Sequence, residues 1–194
     1  MVSLRTLLYA GVIAAASLGA LTGLARKTVL FDSYTTVTVR DGNGTKQLRV
    51  PLYNPIKVLP GNCTKFSRKV AYDVSGKEFP PGDAWDRKYI DTVVARLGTN
   101  DSLENLAEKG ILREGMLVAV YNPHTSRPTQ KDKLGFPADI THIVDFLGVT
   151  PEGDVVVAEQ YGSQCGVRTE NALRSHGLVP KYVLDVKKPE PLSE

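Results

Sequence analysis

The feature that most constrains the fold of this chain is a change in the spacing of its hydrophobic residues. Phe66, Val70 and Val74 recur every four residues after Pro60-Gly61, so they mark one face of a helix whose N-cap is Asn62. From Met116 onward hydrophobic residues alternate with polar ones, which is typical of strands. The predicted strands are residues 116–121, 141–147, 154–160 and 181–186. Helices followed by a meander of strands predict an α+β domain with an antiparallel sheet.

Further elements are predicted on both sides of the first helix. Residues 35–40 and 46–52 are β-prone runs joined by Asp41-Gly42-Asn43-Gly44, which is a strong hairpin signal. Residues 83–97 carry apolar side chains at helical spacing and predict a second helix. Residues 102–109 predict a short third helix, which ends at a glycine.

The N-terminal region contains an apolar, uncharged stretch at residues 7–25. About 20 apolar residues cross a bilayer, whereas the apolar core of a signal peptide is usually about 7–15 residues long. We therefore expect a single N-terminal membrane anchor or uncleaved signal. The protein would be a single-pass membrane protein with its main domain outside the cytoplasm.

The charged residues exclude one broad class of partner. The 24 basic and 21 acidic residues are spread along the chain and leave a net charge of only +3, without the basic face of a nucleic-acid-binding protein. The two cysteines and three histidines stand apart from one another, so no metal site is predicted.

Cys63 is the first candidate site residue. It lies in the first turn of the predicted helix, where unpaired N–H groups and the helix dipole favour an anion. Lys65, Arg68 and Lys69 add positive charge nearby. This setting lowers a thiol pKa toward neutrality and makes Cys63 a candidate nucleophile. The alternative is a half-buried structural cysteine, and this stretch taken alone favours that alternative.

A base for such a nucleophile comes from the second predicted strand. His142 begins this strand and shares a face with Val144 and Phe146. If that face packs against the Cys63 helix, the thiol and the imidazole meet. Cysteine as nucleophile and histidine as base form a known catalytic pair, usually oriented by a third polar group.

The next strand can supply that third group. If the turn pairs Leu147 with Asp154, antiparallel counting places Glu159 opposite His142. A slip of one residue would present Gln160 instead, because side chains alternate between faces. The carboxylate would stabilise an imidazolium, whereas the amide would only orient the ring.

Four short motifs follow one another between about residues 58 and 162. They are Asn62-Cys63 at a helix start, Pro81-Gly82-Asp83-Ala84-Trp85-Asp86, Thr141-His142-Ile143-Val144-Asp145-Phe146-Leu147-Gly148, and Val157-Ala158-Glu159-Gln160. In this order they resemble the CHAP and NlpC families of papain-like cysteine amidases and endopeptidases.

The resemblance implies a papain-like fold in which N-terminal helices pack on an antiparallel sheet. It implies Cys63 as nucleophile, His142 as base and Glu159 as the orienting residue, with Asn62 and Gln160 as possible orienting or oxyanion-binding groups. No metal or cofactor is expected. The substrate would be a cell-wall peptide or a similar peptide-linked polymer.

Two functions follow from these expectations. The first is a membrane-anchored thiol hydrolase with an anchor at residues 1–27, a β-rich lead-in at 28–57, the hydrolase domain at 58–187 and a disordered tail at 188–194. The second is a non-catalytic binding or assembly domain outside the cytoplasm, in which Cys63 and Cys165 form a structural disulfide.

Overall fold

The structure is a computed structural model that describes residues 33–52, 63–82, 89, 91–98, 101–121, 140–161 and 164–186. Its strands are β1 (Ser33–Asp41), β2 (Gly44–Leu52), β3 (Val93–Arg96), β4 (Leu117–Tyr121), β5 (Ile140–Val149), β6 (Val155–Tyr161), β7 (Gln164–Thr169) and β8 (Val179–Leu184). Its helices are α1 (Cys63–Ser75), α2 (Leu103–Glu108) and α3 (Glu170–Ser175). Strands β1 and β2 form a hairpin, and the other six form an antiparallel sheet in the order β3-β8-β4-β5-β6-β7.

The predicted fold, a papain-like α+β domain with N-terminal helices packed on a sheet, is wrong. Strands make up 48% of the described residues and helices 23%, so the sheet dominates. The predicted second helix at residues 83–97 is wrong in its last part, because Val93–Arg96 is strand β3 and pairs with β8. Residues 83–88 and 90 lie outside the described residues. Pairing with β8 outweighs the helical spacing of the apolar residues, and the adjacent β-branched Val93 and Val94 suit the extended backbone that this pairing requires.

The predicted membrane anchor and single-pass localisation are also corrected. None of the helices among the described residues has the length and apolar character needed to cross a membrane. The predicted span at residues 7–25 lies outside the described residues, as does the tail at residues 188–194.

The hairpin and the first helix are confirmed. The β1–β2 loop is Gly42-Asn43, and Gly42 has φ +56°, a left-handed conformation that suits glycine. Helix α1 ends at Ser75, and the N–H of Gly76 bonds to the carbonyl of Tyr72 at 2.8 Å. Gly76 has φ +72°, as expected of a glycine that closes a helix.

The hairpin, helix α1 and one face of the sheet enclose a common core. Phe66 and Val70 of α1 pack with Val39 and Val50 of the hairpin and with Leu147 of β5. Residues of the predicted lead-in therefore pack directly on the helix that begins with Cys63.

The opposite face of the sheet packs against the two short helices. Val144 and Phe146 lie in a cluster with Leu103 and Leu106 of α2 and Leu173 of α3. The expectation that Val144 and Phe146 face the Cys63 helix is therefore wrong, since that helix packs on the other side of β5.

Strand β7 and helix α3 have no counterpart among the predicted elements. Strand β7 pairs with β6 from Tyr161↔Gln164 to Val156↔Thr169. Thr169 then caps α3, since its side chain accepts a hydrogen bond from the N–H of Ala172. This strand brings Cys165 and Arg168 beside the candidate site.

Candidate active site

Cys63 is the first residue of helix α1, as the sequence predicts. One turn later, the buried hydroxyl of Ser67 donates a hydrogen bond to the carbonyl of Ile143 at 3.0 Å. This bond ties the first half of α1 to strand β5, next to His142. Asn62 lies outside the described residues, so its predicted orienting or oxyanion role stays a prediction.

His142 is buried in β5, with 3% of its surface exposed, and is held from two sides. Its Nε2 atom lies 3.0 Å from Oε2 of Glu159, and its ring makes a second hydrogen bond with Cys63. Because Nε2 is engaged by Glu159, Nδ1 is the nitrogen left for the thiol. The Tyr161 ring meets the imidazole edge-on, with centroids 5.6 Å apart.

A backbone irregularity lies next to the imidazole. On β4, Val120 pairs with His142 and Tyr121 pairs with Ile140, so β5 carries one extra residue between these two pairs. Bulges of this kind re-aim neighbouring side chains and are common beside active sites. His142 contacts Cys63 even though Val144, two residues later, packs on the opposite side of the sheet from α1.

The register between β5 and β6 differs from the predicted register by two residues. Phe146 pairs with Val157 and Asp145 with Ala158, and continuing this register places Glu159 opposite Val144. An irregularity at Gly148, where φ is +148°, accompanies the shift. Since a shift of two preserves the face of every side chain, Glu159 still reaches His142, now as a diagonal neighbour.

Gln160, the alternative third residue, lies on the other face of β6. It is buried and pairs with Cys165 of β7, on the side where Ala158 and Cys165 join the core beneath α1. Among these two candidates, Glu159 is therefore the residue that bonds to His142.

Arg168 is a member of the site that the sequence-based prediction missed. Its side chain is 5% exposed, and its Nε atom donates a hydrogen bond to Oε1 of Glu159, the oxygen that His142 leaves open. A signal for it does exist, because Cys165 and Val167 alternate with Gly166 and Arg168 along β7. The predicted strands do not include this segment, so that alternation was not used.

The pKa values of Cys63 and His142 move in opposite directions. Burial raises the pKa of the Cys63 thiol, but the hydrogen bond and positive charge of His142, together with hydrogen bonds from the Ile143 backbone and the Thr64 side chain, lower this pKa overall. Burial lowers the pKa of His142, but hydrogen bonds and charges of Cys63 and Glu159 raise it to about 9. Both directions favour a thiolate paired with an imidazolium, the reactive state of a nucleophilic cysteine.

Both cysteines are free thiols, and they lie in different surroundings. Cys165 is fully buried in the core with Phe66, Val70 and Val167. Burial and the nearby Glu159 charge raise the pKa of Cys165 to about 12, so this thiol stays protonated and unreactive at neutral pH.

His176, another histidine of the described chain, is engaged at the end of helix α3. His176 closes helix α3, where its Nδ1 lies 2.7 Å from the carbonyl of Ala172. Within the described ranges, no three His, Cys, Asp or Glu side chains converge in a way that would hold a metal ion.

Comparisons of the chain with family models, curated proteins and solved structures find no match in any of the three sets.

Proposed function

We propose that this protein is a thiol hydrolase that cleaves amide bonds through a Cys63 acyl-enzyme. The observation that carries the proposal is the chain of contacts from Cys63 at the start of α1, through the His142 ring, to the Glu159 carboxylate. Nucleophile, base and orienting carboxylate stand in the order that cysteine hydrolases require.

The first half of the reaction forms the acyl-enzyme. The Cys63 thiolate attacks the carbonyl carbon of the amide and gives a tetrahedral intermediate with a negative oxygen. The positive end of the helix dipole at the start of α1 is suited to stabilise that oxygen. The His142 imidazolium then donates its proton to the leaving nitrogen as the C–N bond breaks, which leaves a Cys63 thioester and a neutral imidazole.

The second half regenerates the enzyme. Neutral His142 removes a proton from water while the water oxygen attacks the thioester carbonyl. The C–S bond breaks, and a carboxylic acid product leaves with the thiolate–imidazolium pair restored. Glu159 orients the ring in both halves through Nε2 and stabilises its charged form.

The substrate class is proposed from the resemblance to the CHAP and NlpC families. A peptide or peptide-linked polymer, such as a cell-wall peptide, supplies the amide bond on which this chemistry acts. The thiolate–imidazolium pair supports a thiol-dependent reaction but does not by itself select one peptide sequence over another.

The test begins with the reactivity of the two thiols. The full chain is treated with iodoacetamide between pH 5 and 10, and the modified cysteine is identified by mass spectrometry. We expect one equivalent to react, at Cys63, with a half-maximal rate below the ordinary thiol pKa of about 8.5. The Cys63→Ser variant should lose both this reaction and hydrolysis of peptide substrates while keeping its melting temperature.

Two results would contradict the proposal. One is a Cys63 whose alkylation follows an ordinary thiol pKa. The other is a disulfide between Cys63 and Cys165 in the purified protein that is required for folding, since a bridged Cys63 has no thiolate for attack. That second result would support the non-catalytic binding or assembly domain instead.

A further inference from the structure

Arg168 engages the oxygen of Glu159 that faces away from His142. The guanidinium Nε donates to Oε1, while Oε2 lies 3.0 Å from Nε2 of His142. The three side chains are 5% exposed or less, so water does not compete for these bonds. The carboxylate is therefore fixed at both ends, and rotating it away from His142 would break the bond to Arg168.

The charges of this buried cluster balance only when Arg168 is present. In the reactive state Cys63 and Glu159 are negative, and His142 and Arg168 are positive, so the sum is zero. Without the guanidinium the same state would carry one net negative charge in a buried site, which is costly. The cluster would then retain a proton on Cys63 to restore neutrality.

The Arg168 guanidinium does not use all of its hydrogen-bond donors among the described residues. One of its terminal nitrogens, Nη1, is buried without a hydrogen-bond partner among the residues that the structure describes. A buried donor left unpaired costs free energy. Arginine is therefore favoured at this position by its positive charge and its bond to Glu159, and not by full use of its hydrogen-bond donors.

We propose that Arg168 is a positioning residue of the candidate active site, which holds the Glu159 carboxylate against His142 and supplies the positive charge that lets Cys63 exist as a thiolate. This inference rests on the proposed function and deepens it. Arg168 bonds to Glu159 and acts on the nucleophile through Glu159 and His142.

Two other titratable groups lie beside the cluster, Tyr161 on β6 at the edge of the His142 ring and Cys165 on β7. Among the cations of α1, Lys65 is exposed, Arg68 bonds to the carbonyl of Phe79, and Lys69 pairs with Asp73. These groups are the same in every variant below, so differences between variants report the altered charge.

The experiment measures the rate of Cys63 alkylation by iodoacetamide against pH in four forms of the full chain. These are the wild type, Arg168→Met, Glu159→Gln and the double variant Glu159→Gln/Arg168→Met. Arg168→Met should move the acid limb of the profile upward by about one pH unit, and Glu159→Gln should move it downward by a similar amount. In the double variant the charges of the cluster again sum to zero, so its profile should lie near the wild-type profile.

Two further variants serve as controls. Arg168→Lys keeps the charge and should keep most of the wild-type profile. Arg174→Met removes the guanidinium from a comparable Arg–Glu pair, in which Nε and Nη2 of Arg174 bond to Glu170 at 2.9 and 2.6 Å. It should lower the melting temperature and leave the Cys63 profile in place.

The outcomes separate this inference from the proposed function. A wild-type profile with an ordinary thiol pKa overturns the proposed function. In the second outcome the pKa of Cys63 is low in the wild type and equally low in Arg168→Met, and only the melting temperature falls. Arg168 is then structural, and this result overturns the inference alone. If Arg168→Met does not fold, the comparison of Glu159→Gln with the double variant decides, because these two differ only at residue 168. Identical profiles for those two also overturn the inference.

Discussion

Replacing Glu159 with glutamine tests the centre of the candidate site, because it removes one charge and keeps the shape of the side chain. The wild-type carboxylate is 2% exposed and bonds to both His142 and Arg168. The amide would leave the Arg168 guanidinium buried without its counter-charge. Breaking a buried ion pair in this way costs about 3–5 kcal/mol of the free energy of unfolding. For a chain of this size such a loss lowers the melting temperature by about 6–20 °C.

The same substitution should change the titration of His142. Cys63 and Glu159 raise the pKa of His142 to about 9 against the effect of burial, so removing the Glu159 charge should lower it. A histidine whose pKa is raised by folding adds stability below its unfolded pKa of about 6.5 and loses it as the pH rises through the folded pKa. In Glu159→Gln this loss should therefore occur at lower pH than about 9.

The assay combines thermal unfolding between pH 5 and 10 with an NMR titration of the His142 ring. Glu170→Gln is the matched control, since Glu170 is the carboxylate of the Arg174 pair and also accepts a bond from the N–H of Leu103 at 3.0 Å. The control should lose stability without a change in the His142 titration. If Glu159→Gln loses less than about 1 kcal/mol and His142 titrates as in the wild type, Glu159 does not hold the ring.

Three further substitutions have distinct expected outcomes. His142→Ala should abolish hydrolysis and slow alkylation of Cys63 at pH 7 at least about tenfold, because the imidazolium no longer lowers the thiol pKa; hydrolysis that survives would exclude His142 as the base. Cys165→Ser places a hydroxyl in an apolar core and should cost about 1–3 kcal/mol in thermal unfolding, equally with and without reductant; a loss seen only under oxidising conditions would indicate a disulfide. Asp145 is fully buried, neither of its carboxylate oxygens has a hydrogen-bond partner among the described residues, and burial raises its pKa well above the usual value. The protonated carboxyl favours the folded state, and this contribution is lost as the pH rises above the unfolded pKa of about 3.9. At pH 7 the free energy of unfolding of Asp145→Asn should therefore exceed that of the wild type by about 1 kcal/mol or more. By pH 4 the difference should be smaller. Equal stability of Asp145→Asn and wild type at both pH values would show that the carboxyl is not buried in this way.

The sequence alone determined the elements whose signals are local. The turn at Gly42-Asn43 and the four-residue spacing of Phe66 and Val70 predicted the hairpin and helix α1, because turn geometry and helical periodicity involve only near neighbours in the chain. The start of α1 placed Cys63 at a helix N-terminus for the same reason.

Only the tertiary structure decided how the strands pair and which faces they bury. Val93–Arg96 became a strand through pairing with β8, nearly 90 residues away, and no local spacing reports that contact. Val144 and Phe146 have the same apolar character whether they meet α1 or α2, so the sequence did not distinguish the two sides of the sheet. The predicted α+β layering was therefore wrong where it relied on local apolar runs alone.

The candidate site shows the same division between local pattern and long-range pairing. The sequence left Glu159 and Gln160 as alternatives. Because side chains along β6 alternate between the two faces of the sheet, the pairing of β5 with β6 decides which of them reaches His142. The observed register differs from the predicted register by two residues, and a shift of two leaves each side chain on the same face of the sheet. Glu159 is therefore still the residue that reaches His142. Arg168 is nine residues from Glu159 in the sequence, and the two side chains meet because β7 pairs with β6. Local sequence spacing does not report this contact.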